Sequence, residues 1–114
     1  MNILIILNDP PYGSERSYNG LRLAKALGTE GAKVILFLLA DAVACANRGQ
    51  KVPQGFYNVE LMLKSVARSG EVLLCGTCMD ARGISDEAII EGARRSTMKE
   101  LAEQTLGTDQ VLVF

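Results

Sequence analysis

Four short segments in which apolar residues follow one another without polar alternation limit the folds open to this chain more than any other feature. They cover residues 3–7, 33–39, 71–75 and 110–114, and Gly, Pro, Asn or Asp residues lie close to each of them. Short continuous apolar segments are typical of strands buried on both faces, as in parallel sheets. The sequence therefore predicts four strands of a mainly parallel sheet.

Helical periodicity fills the chain between the predicted strands. The clearest helix follows Asn58, whose side chain suits a helix N-cap, and it stops at Gly70. The apolar positions of this helix recur at i, i+3, i+4, i+7 and i+8, which places them on one face. They are Val59, Met62, Leu63, Val66 and Ala67.

Three further helical segments are predicted from their first residues. Ser14 or Ser17 is expected to cap the first helix of the chain, and Asp41 to cap a short helix over residues 42–46. A third helical piece is expected over residues 85–91, where Gly92 breaks it. Parallel strands need such crossovers between them.

The last predicted helix starts with a capping box. Thr97 and Glu100 have the spacing at which each side chain bonds the other's backbone N–H. Leu101 and Leu106 are expected to face the core, and Gly107 to end the helix.

The alternation of strands and helices predicts a single domain, residues 1–114, with a three-layer α/β/α fold and a mainly parallel sheet of four or five strands. In such folds ligands bind outside the carboxyl ends of the strands. Three separate segments are expected to meet at this edge: the loop of residues 8–14, the pair Ala40 and Asp41, and Cys75 with the helix that follows it.

Cys75 is the candidate for the chemistry because it lies where the third strand ends and a helix begins. The first turn of a helix carries unpaired N–H groups and the positive end of the helix dipole, and both favour a reactive thiolate. Cys78 follows at i+3, so the two thiols can meet across the first turn. Cys45 lies in an apolar segment and is expected to be packing.

The candidate catalytic residues are therefore Cys75 and Cys78. The residues expected to bind substrate beside them come from the three segments at the sheet edge. They are Asn8, Tyr12, Gly13, Ser14, Asp41, Gly76, Thr77 and Arg82.

Composition excludes several classes of function. The net charge of −1 and the absence of Trp leave no broad basic or aromatic surface for nucleic acid. The longest apolar run, residues 34–40, is far too short to span a membrane, and the first residues lack the pattern of a signal peptide. Three cysteines, an odd number, do not suit a secreted disulfide framework, so a cytoplasmic location is expected.

Cofactor and metal chemistry have little support in the sequence. A structural zinc site needs four Cys or His ligands, and this chain has no His and only Cys45 beyond the pair. The thioredoxin pattern lacks its later proline, since the last proline is Pro53. Neither a G-x-G-x-x-G nor a P-loop pattern occurs. No metal and no cofactor are expected.

Several separated motifs, in order, resemble one known family. They are Pro11-Tyr12-Gly13-Ser14-Glu15, Asn19 with Leu21-Arg22-Leu23-Ala24, Asp41-Ala42-Val43, Arg48-Gly49-Gln50-Lys51, Leu74-Cys75, Thr77-Cys78 and Arg82-Gly83-Ile84-Ser85, with residues 109–114 at the end. This set resembles the YchN-like branch of the DsrE/DsrF-like family over nearly the whole length.

The resemblance implies an α/β/α fold, a homo-hexamer built from trimers, and a cysteine at the position of Cys75 near a subunit boundary. In the sulfur-relay relatives DsrE and TusD the corresponding cysteine carries sulfur as a persulfide. Those relatives keep Arg82-Gly83 but not Cys78, which is a feature of the YchN-like branch.

The expected function is that of a persulfide carrier or sulfurtransferase component acting through Cys75, with a sulfur donor or acceptor protein as its partner. Two alternatives stay open. One is a non-catalytic, oligomeric binding or regulatory module. The other is a dithiol redox protein that uses Cys75 and Cys78.

Overall fold

Five parallel strands form one sheet in the computed structural model, which describes residues 1–114. The strands are β1 (Asn2–Leu7), β2 (Lys33–Leu38), β3 (Glu71–Cys75), β4 (Ala93–Ser96) and β5 (Gln110–Val113). The helices are α1 (Arg16–Thr29), α2 (Val59–Ser69), α3 (Gly76–Ala81) and α4 (Met98–Gly107), with 3₁₀ helices at Ala40–Ala46 and Asp86–Ala88.

The strand order β4-β3-β2-β1-β5 determines which helices cover which face. From β1 to β4 the chain moves in one direction across the sheet, whereas the step from β4 to β5 returns past β1. Because crossovers between parallel strands are right-handed, this reversal places α4 on the face opposite to α1 and α2. The predicted three-layer α/β/α fold is confirmed.

The two faces of the sheet bury apolar clusters of unequal size. The larger cluster has 20 buried residues and includes side chains of α1, α2 and α3. The smaller cluster has six, and Leu101 is its one residue from α4. Its members are Leu4, Ile35, Phe37, Leu73, Cys75 and Leu101. Burial on both faces explains why the central strands read as continuous apolar segments.

The edge strand β4 was not predicted as an element. Its sequence Ala-Arg-Arg-Ser has no apolar pattern, and of its four residues only Ser96 is buried. β4 nevertheless pairs with β3, so that Cys75 and Ser96 are register partners. Arg94 and Arg95 find carboxylate partners outside the strand, which makes a charged strand tolerable at this edge.

The helix caps were predicted with mixed success. The Asn58 side chain accepts a hydrogen bond from the Leu61 N–H at 3.1 Å, which confirms the cap of α2. Thr97 accepts from the Glu100 N–H at 3.1 Å, but the Glu100 carboxylate bonds Arg94 and Ser96, so the capping box is only half formed.

Other local predictions were wrong. Leu106 is 89% exposed on the outer side of α4. The predicted helix over residues 85–91 is only the 3₁₀ turn Asp86–Ala88. The segment after β2 is a 3₁₀ helix beginning at Ala40, and Asp41 does not cap it.

The start of α1 also differs from the prediction. Glu15 is the N-cap, and its side chain makes no capping hydrogen bond. Ser17 is buried in the first turn and donates to the Asp9 carbonyl at 2.7 Å. Ser14 donates to the Asp9 carboxylate at 2.6 Å. Ser14 Oγ also accepts from the N–H of Arg16, the first residue of α1, at 3.3 Å. Ser17 therefore fixes the preceding loop, whereas Ser14 contacts both the loop and the helix start.

Candidate functional site

The carboxyl ends of β2 and β3 lie side by side and bring two of the three predicted segments together. Leu38 and Leu74 are register partners, so the residues that follow each strand are close. Ala40 and Asp41 follow β2, and Cys75 ends β3 with α3 directly after it. This edge is where parallel α/β folds bind ligands.

Cys75 is the inner of the two thiols at this edge. It is 5% exposed and belongs to the smaller apolar cluster, beside Phe37, Leu73 and Leu101. It occupies the N-cap position of α3 but makes no side-chain capping hydrogen bond. Because α3 has only six residues, the helix start supplies less to this sulfur than the sequence suggested.

Cys78 is the outer thiol and has polar neighbours. It is half-buried, and its Sγ accepts a hydrogen bond from the Ala40 N–H at 3.2 Å. Burial, and then the hydrogen bond with the Cys75 thiol, raise the pKa of Cys78 above its ordinary value. The Ala40 N–H and the positive charge of Arg82 act in the opposite direction. We call Cys75 and Cys78 the thiol pair.

The backbone of Ala40 is unusual. With φ at +51° it is the one non-glycine residue with a positive φ. L residues other than Gly, Asn and Asp rarely adopt this region because the Cβ approaches the carbonyl oxygen. No sequence pattern marks such a position when Ala occupies it. The strained backbone aims an N–H at the Cys78 sulfur.

Arg82 and Asp41 join the end of β2 to the end of α3. The Arg82 guanidinium donates from Nε to Asp41 Oδ1 at 3.0 Å, and its Nη2 lies 2.8 Å from the same oxygen. Its Nη1 donates to the Cys78 carbonyl at 3.1 Å. Both residues were predicted for the site, and they brace the helix that carries Cys78.

Arg95 holds the other end of α3, and sequence reasoning missed it. Its Nη1 donates to the Gly76 carbonyl and to Asp80, each at 3.0 Å, and its Nε donates to Asp86 at 2.9 Å. A Cβ at Gly76 would lie 2.9 Å from Arg95 Nη1, so a larger residue there would displace the Arg95 side chain. Thr77 is exposed in the first turn of α3.

The side-chain hydrogen bonds of the first loop, which the sequence predicted to lie at the site, do not lead to the thiol pair. Asn8 donates from Nδ2 to the Phe114 carbonyl at 3.1 Å, tying the end of β1 to the end of β5. Ser14 bonds Asp9. These hydrogen bonds stay within the loop or lead to β5.

Tyr12 and Gly13 face a different neighbourhood. The Tyr12 hydroxyl donates to Gln50 Oε1 at 2.5 Å and accepts from the Val59 N–H at 3.1 Å, so it buttresses the start of α2. A Cβ at Gly13 would lie 2.9 Å from Pro10 Cγ, which makes Gly13 a packing requirement of the loop. The position of a residue in a loop at the sheet edge does not by itself show whether its side chain supports neighbouring elements or binds a ligand.

Cys45 is separate from the thiol pair and fits the packing prediction. It is fully buried, its Sγ lies 3.8 Å from the Asp9 carbonyl, and burial raises its pKa to about 12.

No three His, Cys, Asp or Glu side chains gather where they could hold a metal ion. None of the helices has the length and apolar composition of a membrane span.

The fold and the site define a parallel α/β protein with a thiol pair at the carboxyl edge of its sheet. The model of the DsrE/DsrF-like family matches residues 1–114, and this chain belongs to that family. The family is linked to sulfur relay.

Relatives of known sequence and structure agree with this assignment. Protein YchN of Escherichia coli K12 is 46% identical over 115 residues, with 98% of this chain and 97% of YchN covered. An uncharacterized protein of Methanocaldococcus jannaschii, MJ0989, is 35% identical over the full length of both. The crystal structure of E. coli YchN superposes with a TM-score of 0.93, covering 99% of this chain and 98% of that one.

A more distant structure shares the fold. The protein of unknown function MTH1491 from Methanobacterium thermoautotrophicum superposes with a TM-score of 0.78 at 10% identity, with 97% of each chain covered. The resemblance to the YchN-like branch is thus confirmed, and the architecture extends beyond it.

Proposed function

We propose that this protein carries sulfane sulfur as a persulfide on the thiol pair, as a carrier or a sulfurtransferase component, with Cys75 as the residue that holds it. One observation supports this most. Two free thiols lie within the first turn of α3 at the carboxyl edge of the sheet, with a backbone N–H and a guanidinium beside the outer one. Both neighbours act against the burial that raises the pKa of Cys78, and so make its reactive, anionic form more accessible than it would be without them.

The transfer is a pair of exchange reactions. A thiolate of the pair attacks the terminal sulfur of a donor persulfide, a new S–S bond forms, and the donor leaves as a thiolate. An acceptor thiolate then attacks the same terminal sulfur and restores the free pair. Neither step needs an oxidant or a reductant.

Cys78 offers a second way to release the sulfur. Its thiolate attacks the inner sulfur of the Cys75 persulfide, a Cys75–Cys78 disulfide forms, and hydrosulfide leaves. This route requires a reducing thiol to restore the pair before another cycle.

Mass spectrometry after exposure to a persulfide donor tests the proposal. We expect one added sulfur per chain, mapped to Cys75 at the end of the reaction, and no sulfur retained by Cys75→Ser after a wash with thiol. The matched control is Cys45→Ala, which removes the third thiol and should leave the added sulfur in place. A chain that retains no sulfur on any cysteine contradicts the proposal.

The low exposure of Cys75 favours a second candidate, a non-catalytic binding or regulatory module with incidental thiols. This candidate predicts that donor treatment adds no sulfur. The third candidate, dithiol redox chemistry, predicts a reversible Cys75–Cys78 disulfide under mild oxidation and no persulfide. The same mass measurement distinguishes all three.

We also propose that the chain works as a homo-oligomer with a donor or acceptor protein as its partner. Exposed apolar side chains of α4 and β5 support self-association, among them Met98, Leu106 and Val113. The hexamer built from trimers is the assembly implied by the family resemblance.

A cytoplasmic location fits three free cysteines, because free thiols persist in reducing compartments.

A further inference from the structure

The two thiols of the pair differ in access and in polar contacts. Cys75 is 5% exposed and lies among hydrocarbon side chains, so a donor larger than a few atoms cannot reach its sulfur without local opening. Cys78 lies beside it, is half-buried, and has one side toward solvent. A partner that approaches the sheet edge therefore meets Cys78 first.

Two groups that favour anionic sulfur are also gathered at Cys78, where they act against the burial that raises its pKa. The Ala40 N–H points at its sulfur, and the Arg82 guanidinium is held one turn away by Asp41. Cys75 has no such contact from the helix start. In a sulfur exchange between the two residues, Cys78 is therefore the one that offers a backbone donor to the charged leaving sulfur.

The backbone conformation of Ala40, which directs its N–H at Cys78, is energetically unfavourable. A positive φ at a non-glycine residue is unfavourable by roughly 1–2 kcal/mol. It persists only where the surrounding structure enforces it, and such residues cluster at functional sites. The strain at Ala40 aims its N–H at the outer sulfur, which is the one polar contact that the Cys78 thiol makes with the backbone of another element.

We infer that the two thiols act in a fixed sequence: Cys78 is the thiol that meets the donor and the acceptor, and it passes the sulfur inward to Cys75 for storage. This inference rests on the proposed persulfide function and assigns each cysteine its step. Ala40 and Arg82 are positioning residues for the outer sulfur.

Each step of the relay balances. The Cys78 thiolate attacks the terminal sulfur of a donor persulfide, and the donor leaves as its thiolate. The Cys75 thiolate, having given its proton to solvent, attacks that same terminal sulfur. The bond to Cys78 breaks, a bond to Cys75 forms, and the Cys78 thiolate leaves next to the Ala40 N–H. Delivery to an acceptor runs the same steps in reverse.

Rapid quenching and peptide mapping of the full-length protein test the order. Glutathione persulfide is a suitable donor because a tripeptide is too large for direct access to Cys75. In the wild type, added sulfur should appear first on Cys78 and then on Cys75. Cys78→Ser, which keeps an acceptor for the Ala40 N–H, should slow loading of Cys75 by about tenfold or more, since a direct attack would require local opening.

Two further variants, Cys75→Ser and Cys45→Ala, test the sequence in which the thiols are loaded. In Cys75→Ser the sulfur should load on Cys78 as fast as in the wild type but be stripped quickly by added thiol. Cys45→Ala should match the wild type. If Cys78→Ser loads Cys75 at the wild-type rate, the order is wrong and the persulfide function stands. If no variant retains sulfur, the proposed function fails as well.

The amide resonance of Ala40 gives a readout that a purely structural role would not move. In ¹⁵N spectra it should shift when sulfur is on Cys78 and return when the sulfur has passed to Cys75. An Ala40 resonance that stays fixed while Cys78 is loaded contradicts the role of its N–H.

Discussion

At the scale of single residues, Ala40 adopts a backbone conformation that lowers stability but serves the site. Its positive φ is unfavourable, yet it directs an N–H to the Cys78 sulfur. Asp41, the next residue, pairs with Arg82 and so holds the helix that carries the same cysteine. Two consecutive residues therefore position both the backbone donor and the cation.

Replacing Ala40 by glycine tests the strain directly. Ala40→Gly keeps the N–H and removes the Cβ that disfavours a positive φ, so the free energy of unfolding should rise by up to about 1 kcal/mol. Chemical denaturation monitored by circular dichroism measures it. Ala42→Gly, in the same 3₁₀ helix but with an ordinary φ, should destabilise. A loss of stability in Ala40→Gly equal to that of the control contradicts the strain.

The Glu100 carboxylate predicts an acid dependence of stability. Its hydrogen bonds with Arg94 and Ser96 lower its pKa to about 2, from an ordinary value of about 4.3. A lowered folded-state pKa adds stability above the unfolded-state pKa and loses it as the pH falls toward 2. The unfolding free energy should therefore decline between about pH 5 and pH 2.

In Glu100→Gln this part of the decline should be absent, and the variant should be about 2 kcal/mol less stable near neutral pH. Glu103→Gln, an exposed carboxylate on the same helix without an ion pair, is the matched control. Equal acid profiles for wild type and Glu100→Gln would show that the ion pair contributes nothing.

At the scale of secondary-structure elements, α3 is a six-residue helix held by two arginines. Arg95 of β4 bonds the Gly76 carbonyl at its start, and Arg82, the residue after its last, bonds the Cys78 carbonyl in its middle. A helix this short has little stability of its own. The position of the thiol pair therefore depends on β4 and on the segment after β2.

Gly76→Ala should loosen this helix. The added Cβ would contact the Arg95 side chain at 2.9–3.2 Å, so Arg95 must move and weaken its bonds to Gly76 and Asp80. We expect a loss of about 1–2 kcal/mol in unfolding free energy and faster amide exchange in α3. Gly107→Ala, where a Cβ meets nothing within 4 Å, should cost nothing. Equal effects of the two substitutions contradict this role of Gly76.

The elements differ in how well the sequence predicted them. β1, β2 and β3 could be predicted because burial on both faces leaves a continuous apolar segment. β4 could not, because it has no apolar pattern and its arginines satisfy their charges through carboxylates outside the strand, Asp80, Asp86 and Glu100. The pairing of Asp41 with Arg82 was equally invisible, since it joins residues 41 positions apart.

At the scale of the whole molecule, the sheet has one heavily covered face and one that α4 covers alone. Leu101 is the only buried residue of α4, while Met98 and Leu106 on the same helix are exposed. Val113 on the edge strand β5 is exposed too. An apolar edge strand without a covering element is a template for association.

We therefore expect an oligomer in solution. Light scattering after size exclusion should give a mass about six times the 12.3 kDa of one chain if the assembly implied by the family resemblance forms. Val113→Asp should shift the distribution to smaller species, because it places a charge on the apolar edge. A wild-type chain that stays at 12.3 kDa at micromolar concentration contradicts self-association.

Cyanolysis of the loaded protein tests most directly whether this thiol pair holds transferable sulfur. The protein is treated with glutathione persulfide, freed of donor by gel filtration, and then reacted with cyanide, which removes sulfane sulfur as thiocyanate. We expect close to one thiocyanate per chain for the wild type and for Cys45→Ala, and none for the double variant Cys75→Ser, Cys78→Ser. Thiocyanate at background level from the wild type, or an equal yield from the double variant, would contradict the proposed persulfide function.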